Sequence, residues 1–260
     1  MEFLAYNIMS GGFNDYGDMA KMPQRIDLLK EILDQQKADF VSLIDTYRWT
    51  EVFTREDLQK MFGYKNVFMV KLNDERLIKK GHDNGITVMT NLDVNNFSEI
   101  RLFNRNAIKT ELNVEGRKVD VFSIYLDDVS EDTRLEQTRS LFGLMSNNPT
   151  VFMGDLNTMD ADDKTKLPIL GNILDMVFKD MLRGEVIKLI KENGFVDTNL
   201  ARMKTVPTTL FPIKTDEPLA RLDYIFYRGD VGCKKFEVLS GEIFEKMSDH
   251  LPVKATISFE

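Results

Sequence analysis

The sequence predicts a mixed α/β fold, and three observations favour this class. Short runs rich in Val, Ile, Phe and Tyr recur from the beginning of the chain to its end. Segments with apolar residues at helical spacing lie between these runs. The 260 residues contain no repeat, no low-complexity linker and no boundary between a helical half and a strand half. We therefore expect a single domain over residues 1–260, built as either two or four layers.

Strands are predicted where apolar and polar residues alternate, or where an apolar run is short. The predicted strands are Glu2–Ile8, Phe40–Ile44, Gly85–Thr90, Lys118–Leu126, Thr150–Met153, Leu222–Tyr227 and Pro252–Phe259. Arg228-Gly229-Asp230 follows one of these strands and is predicted to be a hairpin turn.

Helices are predicted in three regions of the chain. Pro23 suits a first helical turn, and the apolar stripe that follows it contains Ile26, Leu29, Ile32 and Leu33. A second helix is expected over Ser130–Met145. Residues 158–193 are expected to be a helical insertion, with a charged loop followed by one or two helices. The insertion either covers the core or forms one wall of a substrate site.

The net charge of the chain is −8, from 34 basic and 42 acidic residues. This balance argues against a protein that coats nucleic acid by nonspecific charge, because such binding uses clustered Lys and Arg. No signal peptide or long apolar span is visible, and Cys233 has no partner for an internal disulfide. We therefore expect a cytoplasmic protein with an inert thiol and no membrane span.

Polar residues lie at the ends of apolar strands or interrupt them, in six separate places. They are Asn7, Asp45, Tyr125, Asp155 with Asn157, Asp223, and Asp249 with His250. A carboxylate buried at a strand end is costly unless it is paired, hydrogen-bonded or bound to a metal. Their recurrence predicts that these side chains converge on one site.

The residue types in this set indicate a hard metal ion and hydrolytic chemistry. Carboxylate and amide oxygens without cysteine suit Mg²⁺ or Mn²⁺. The two histidines, His82 and His250, are too few for a histidine-rich zinc site. A hard cation with one histidine suits hydrolysis of a phosphate ester, because the cation neutralises phosphoryl charge while the histidine handles the attacking water.

Three motifs resemble those of the endonuclease/exonuclease/phosphatase superfamily, which includes exonuclease III-like and DNase I-like metal-dependent phosphoesterases. They are GDLN at 154–157, RLDYIF at 221–226 and SDHLPV at 248–253. They occur in the family's order, and the resemblance extends from Asn7 to the last strand. It implies a DNase I-like four-layer α/β sandwich, in which two packed mixed β-sheets are flanked by helices.

The resemblance implies a metal site formed by Asp45, Asn7 and Asp249, with Mg²⁺ or Mn²⁺ as cofactor. Asn7 matches an asparagine that helps to hold the metal shell. Asp45 lies where the family usually has a glutamate after glutamine, but this chain has Ile44-Asp45. The shorter side chain keeps the charge and reaches less far. Asp249 matches a further carboxylate of the metal or phosphate site.

The resemblance also implies the catalytic set His250, Asp155, Asn157, Asp223 and Tyr125. His250 matches the general base or phosphate-stabilising imidazole, and Asp223 the carboxylate that orients it. Asp155 and Asn157 match the pair that orients water and contacts phosphate. Tyr125, at a position where exonuclease III-like members carry tyrosine, is expected to donate a hydrogen bond to the phosphate.

Outside this set, one further residue is expected to contact substrate, and others are expected to brace the fold. Asn84 is expected to contact substrate, because the family often places such a residue ahead of the strand that follows. His82 is interpreted as a loop residue outside catalysis. Arg25, Arg134 and Gln137 fit family positions and are expected to brace helices or the sheet.

The predicted function is hydrolysis of a phosphate ester of phosphodiesterase or nuclease type. Two alternatives are a small-molecule phosphomonoesterase and a non-catalytic binding module that keeps the fold. A monomer is expected, with a phosphate ester as partner and nucleic acid as one possible form of it. Basic residues that could serve a nuclease are scattered, namely Lys79, Lys80, Arg101, Arg105 and Lys109.

Overall fold

A computed structural model describes residues 1–13, 25–73, 75–79, 84–163, 180–208 and 218–259. The strands of the first sheet are β1 (Glu2–Asn7), β2 (Phe40–Ile44), β3 (Asn66–Lys71), β4 (Gly85–Thr90), β11 (Val231–Val238) and β12 (Val253–Phe259). Those of the second are β5 (Val94–Leu102), β6 (Arg105–Val114), β7 (Arg117–Tyr125), β8 (Thr150–Asp155), β9 (Val196–Asp197) and β10 (Asp223–Arg228).

Within the described residues both sheets have six strands and mixed pairing. The first sheet has the order β11-β12-β1-β2-β4-β3, and the second has the order β5-β6-β7-β8-β10-β9. β1 is parallel to β2, and β7 is parallel to β8, while the other pairs are antiparallel. Two parallel pairs near the sheet centres bring their carboxyl ends to the same region of the molecule.

Helices cover the outer face of each sheet. The helices are α1 (Ile26–Gln36), α2 (Trp49–Val52), α3 (Arg55–Phe62), α4 (Glu75–Ile78), α5 (Glu131–Phe142), α6 (Glu185–Glu192) and α7 (Glu242–Met247). Apolar side chains of α1, α3 and α7 pack on the first sheet. Those of α5 and α6 pack on the second sheet.

The order helix layer, sheet, sheet, helix layer confirms the predicted four-layer sandwich. The apolar layer between the sheets is built from alternate residues, such as Phe3 and Ala5 of β1 and Val151 and Met153 of β8. Because side chains alternate across a strand, one set of residues fills this layer and the other packs under the helices.

The prediction of a hairpin turn at Arg228-Gly229-Asp230 is wrong. A turn is present, but β10 before it pairs within the second sheet, whereas β11 after it pairs with β12 in the first sheet. The turn therefore carries the chain from one sheet to the other. Local sequence encodes the turn, whereas the strand partners are chosen by long-range packing.

Two predicted regions are described only in part. Pro23 lies outside the described residues, as do positions 164–179 of the expected helical insertion. After this gap, α6 packs through Val186, Ile187 and Ile190 against the second sheet. In the described part of the chain, no helix is long and apolar enough to cross a bilayer.

Candidate active site

One edge of the layer between the sheets is polar rather than apolar. Tyr125 on β7 lies opposite Asp155 on β8, which lies opposite Asp223 on β10. These residues continue the alternation that places Met153 and Ile225 between the sheets. The period-two pattern therefore directs two carboxyl groups and a phenol into the intersheet layer at its end.

The glycine of GDLN is required by the close approach of β7. Gly154 has φ 142°, and a Cβ built on it would lie 1.9 Å from the carbonyl oxygen of Ile124. Any larger residue would push β8 away from β7. The glycine thereby keeps Asp155 next to Tyr125.

A hydrogen bond joins the two sheets at this edge. The side-chain amide of Asn7, at the end of β1, donates to Asp155 Oδ2 at 2.9 Å. Asn7 Oδ1 accepts from the backbone N–H of Met9 at 3.0 Å. Asn7 therefore positions Asp155 and keeps one lone pair of its amide oxygen for another ligand.

His250 is held by a chain of buried hydrogen bonds. Its Nδ1 lies 2.8 Å from Asp223 Oδ2, and the hydroxyl of Thr205 donates to the same oxygen at 2.7 Å. The Thr205 hydroxyl also accepts from the backbone N–H of Leu222. Because Nδ1 is engaged by Asp223, Nε2 is the ring nitrogen that can face a substrate.

Asp45 is a buried carboxyl group with one oxygen unengaged. Its Oδ2 accepts from the backbone N–H of Ser10 at 2.9 Å, whereas Oδ1 is buried and accepts no hydrogen bond from the described residues. Burial, together with the charges of Asp249 and Asp155, raises the pKa of Asp45 to about 7. A bound cation would satisfy this oxygen.

Backbone geometry explains why Asp and Asn occupy two of these positions. Asp45 has φ 60° and Asn157 has φ 49°, both in the left-handed region that short polar residues tolerate best. The Asn157 backbone N–H donates to Asp155 Oδ1, and its side-chain amide donates to the carbonyl of Leu126. In this arrangement Asn157 braces the loop after β7 and fixes Asp155.

The electrostatics of the site follow from carboxylates packed around one imidazole. Burial by itself lowers the pKa of His250, but the charge and hydrogen bond of Asp223, with the charges of Asp155 and Asp249, raise it to about 10. Burial raises the pKa of Asp155 to about 7, and the charge of Asp223 adds to that rise. Ligand atoms of Asp155, Asp223 and His250 lie within 4.8 Å of one another.

Tyr125 is 8% exposed and borders the same cluster. Burial, with the charges of Asp45 and Asp155, raises the pKa of Tyr125 well above its usual value. The phenol therefore remains a neutral hydrogen-bond donor. The guanidinium of Arg105 lies over its ring, 5.2 Å from the centroid.

Asn84 and Asp249 each come shortly before a strand of the first sheet, β4 and β12 respectively. Asn84 precedes β4 and is buried, and its Oδ1 accepts no hydrogen bond from the described part of the chain. Asp249 is half-buried and influences the pKa of both Asp45 and His250. The donor set at this edge thus consists of carboxylate and amide oxygens with one imidazole, which fits a hard divalent cation.

Three supporting residues were not anticipated from the sequence. Thr205 fixes Asp223, the Ser10 N–H binds Asp45, and the Ser248 hydroxyl donates to the Asn7 carbonyl at 2.6 Å. Ser248 belongs to the SDHLPV motif, so its motif could have indicated it. Thr205 lies in an irregular segment, and no local pattern marks it.

The predicted bracing residues do brace the fold. Arg25 donates to the backbone carbonyls of Met9, Phe13 and Met247. Arg134 is fully buried and pairs with Glu131 at 2.8 Å.

The other histidine of the chain, His82, lies outside the described residues. Cys233 is partly buried, which raises the pKa of its thiol, and its sulfur donates to the Lys235 carbonyl.

Two of the candidate basic residues are already paired with carboxylates. Arg105 is 1% exposed and pairs with Asp128, and Lys109 pairs with the buried Asp120 at 2.8 Å. Lys79 is exposed and pairs with Glu75 at 3.3 Å. Neighbouring carboxylates therefore engage both Arg105 and Lys109, so neither offers a free cationic group to a nucleic acid.

Thr205 provides a test of the hydrogen-bond chain. Thr205→Val keeps the side-chain shape but removes the donor to Asp223, so we expect turnover to fall by about tenfold. Thr205→Ser keeps the hydroxyl and should retain most of the activity. NMR titration of His250 in the metal-free variants measures the effect directly. An unchanged imidazole titration in Thr205→Val would show that Thr205 does not act through Asp223.

Comparison with known proteins agrees with the motifs. The sequence model of the Endonuclease/Exonuclease/phosphatase family matches residues 4–250. This range contains almost the whole chain and all of the site residues described above. No curated protein matches the sequence.

Solved structures share the fold at low sequence identity. A family protein from Leptotrichia buccalis C-1013-b is 20% identical, with a TM-score of 0.69 and full coverage of both chains. An AP endonuclease from Archaeoglobus fulgidus is 18% identical, with 98% of each chain covered and a TM-score of 0.69. A mannosyl-6-phosphatase from Bacteroides thetaiotaomicron is 15% identical, with full coverage of both chains and a TM-score of 0.66.

Proposed function

Because the chain belongs to the endonuclease/exonuclease/phosphatase family, we propose that it is a divalent-metal-dependent hydrolase of phosphate esters. The observation that carries the proposal is the unengaged, buried Asp45 Oδ1 beside the Asp155, Asp223 and His250 cluster. Such a concentration of buried carboxyl groups destabilises a metal-free protein and is useful to one that binds a cation.

We assign the side-chain oxygens of Asp45, Asn7 and Asp249 as the metal ligands, with Asp45 as the main one. The Asn7 amide oxygen has a lone pair left after its bond from Met9. When bound, the cation would neutralise charge on the phosphoryl oxygens and offset the carboxylate charges that raise the pKa of His250. Mg²⁺ and Mn²⁺ both suit these ligands.

His250 is the proposed proton-transferring group. Asp223 holds Nδ1, so the opposite nitrogen, Nε2, faces the reacting phosphate and its attacking water. Asp155 lies near His250, and its Oδ1 accepts from the Asn157 N–H. We assign Asp155 and Asn157 to orient the water for in-line attack. The Tyr125 phenol, which stays protonated, donates to a phosphoryl oxygen.

A non-catalytic binding module is the competing function, and Ile44-Asp45 in place of the usual pair is the feature that favours it. A module without metal would have no use for a buried Asp45 with one unengaged oxygen, or for the His250 and Asp223 pair. Replacing such groups with apolar residues would stabilise the fold. The retained charges therefore support an enzyme.

A substrate panel tests the proposal. Abasic duplex, single-stranded DNA, RNA, bis-p-nitrophenyl phosphate, p-nitrophenyl phosphate and sphingomyelin are incubated with Mg²⁺, with Mn²⁺ and with EDTA. We expect hydrolysis of at least one ester that disappears with EDTA. If no ester is hydrolysed and calorimetry detects no binding of either metal, the chain is a binding module.

A further inference from the structure

A cleft of about 490 Å³ is lined in part by the loop that follows Tyr125 at the end of β7. It lies between the segment after β3, the turn that joins β5 to β6, and the loop between β7 and α5. Its walls include Asn73, Glu75, Phe103, Asn104, Val129 and Thr133. This volume is in the range of small-molecule sites.

The walls of this cleft are continuous with catalytic candidates. Asp127, in one wall, follows Tyr125 by two residues along the chain. Asn73, in the opposite wall, follows Leu72, whose backbone N–H donates to the Asn84 carbonyl at 2.7 Å. A substrate whose phosphate lies at Tyr125 and Asn84 would therefore place its leaving group in or near the cleft.

Phe103 lies at the edge of the cleft, on a turn that hydrogen bonds hold in place. Its side chain is 79% exposed, and its backbone has φ 42°, a conformation that costs energy for an aromatic residue. The next residue, Asn104, donates to Asp127 at 2.5 Å and accepts from Gln137 at 2.7 Å. These bonds hold the turn, so the exposed ring does not depend on a loose loop.

A second apolar side chain lies in the same cleft. Val129 is 57% exposed, and its backbone N–H donates to Asp127 Oδ1, which fixes the loop that carries it. Phe103 and Val129 thus place apolar surface from two separate elements in one cleft. Surface of this kind next to a reaction centre favours contact with a ligand.

The charge of the cleft restricts what it can bind. None of the described side chains that line it is cationic, and Glu75 and Asp127 are acidic. Glu75 pairs with Lys79, whereas Asp127 accepts hydrogen bonds from its own loop and from Asn104. A second phosphate or a nucleic-acid backbone requires basic contacts, so this lining favours an uncharged group.

We propose that the cleft binds the uncharged sugar ring of a sugar phosphate, with Phe103 as the residue that determines this specificity. The inference rests on the proposed phosphate-ester hydrolysis and names its leaving group. The apolar C–H face of the sugar packs on Phe103 and Val129. Hydroxyl groups on the opposite side bond to the Asn73 amide and the Thr133 hydroxyl, both of which can donate and accept.

The test compares esters that share a phosphate and differ in the alcohol. With the metal-loaded enzyme, kcat/KM is measured for a hexose 6-phosphate, glycerol phosphate, a 5′-nucleotide and a short oligonucleotide. We expect the hexose phosphate to exceed glycerol phosphate by at least about tenfold. Phe103→Ala should bring that ratio close to one, and Phe103→Tyr should preserve it.

Leu200→Ala is the matched control, since Leu200 is 83% exposed and lies outside this cleft. The ratio in this control should equal that of the unmodified protein. A ratio that survives Phe103→Ala would overturn the inference, as would a Phe103-dependent preference for the nucleotide or oligonucleotide. If none of the four esters is cleaved while the substrate panel above shows metal-dependent hydrolysis, the inference about the cleft is overturned. If neither set contains a substrate, the proposed hydrolysis itself is contradicted.

Discussion

Replacing His250 by Ala should lower kcat/KM for the best phosphate ester by about 10³-fold or more, because proton transfer and the orientation supplied by Asp223 are both lost. The imidazole is 7% exposed and its Nδ1 lies 2.8 Å from Asp223. Steady-state kinetics at saturating metal measures the loss, and thermal unfolding shows whether the variant is folded.

A second pair of variants tests whether Asp223 and His250 act as one catalytic unit. Asp223→Asn alone and Asp223→Asn combined with His250→Ala should lose activity to nearly the same extent as His250→Ala, because the two groups act together. His82→Ala is the control for a histidine outside the proposed machinery and should keep its activity. Near-normal metal-dependent turnover by His250→Ala would show that the assignment is wrong.

Replacing Asp45 by Asn should abolish most metal binding while stabilising the metal-free fold. Asn keeps an oxygen for the Ser10 N–H but removes a negative charge from a buried position. A rise in pKa from 3.8 to about 7 corresponds to at most about 4 kcal/mol of destabilisation by the ionised carboxyl group. Mg²⁺ or Mn²⁺ should raise the melting temperature of the unmodified protein at pH 8 and have little effect on Asp45→Asn.

The pH dependence of folding stability shows whether the ionised Asp45 stabilises or destabilises the fold. A carboxyl group with a raised folded-state pKa takes up a proton on folding, so stability falls as pH rises from about 4 to about 7. Asp155 acts in the same direction, and Asp45→Asn should therefore make the fall shallower without removing it. Stability from the raised pKa of His250 is lost between pH 6.5 and about 10, which lies mostly above this window. Equal slopes for both proteins in EDTA would contradict the role of Asp45.

The strands that carry or adjoin the site residues could be predicted from local patterns, whereas β3, β9 and β11 were not predicted. Alternation in Lys118–Leu126 and the apolar run Phe40–Ile44 correspond to β7 and β2. β5 and β6 were not anticipated, although they form a long hairpin. Alternation is weak in β5 because only Ile100 and Leu102 are buried, and in β6 because both faces are mostly buried. The four-layer arrangement came from the family resemblance, since periodicity alone left two layers open.

The sequence predicts which residues form the site more fully than it predicts how they contact one another. Polar residues at strand ends indicated convergence, and the strand register places Tyr125, Asp155 and Asp223 in one row. Sequence could not show that Asn7 donates to Asp155 across the two sheets or that Thr205 supports Asp223. These contacts join residues far apart along the chain, and no local spacing encodes such distances.

The sequence by itself determined the chemistry available to this protein, namely buried carboxyl groups, one relevant imidazole and no cysteine ligand. It also determined which residues end strands, because hydrophobic alternation and turn residues act over a few positions. Only the tertiary structure decided that Arg105 is buried beside Tyr125 and that Phe103 remains exposed. Burial depends on how the sheets, loops and helices pack together, and that packing also sets the pKa of each group in the site.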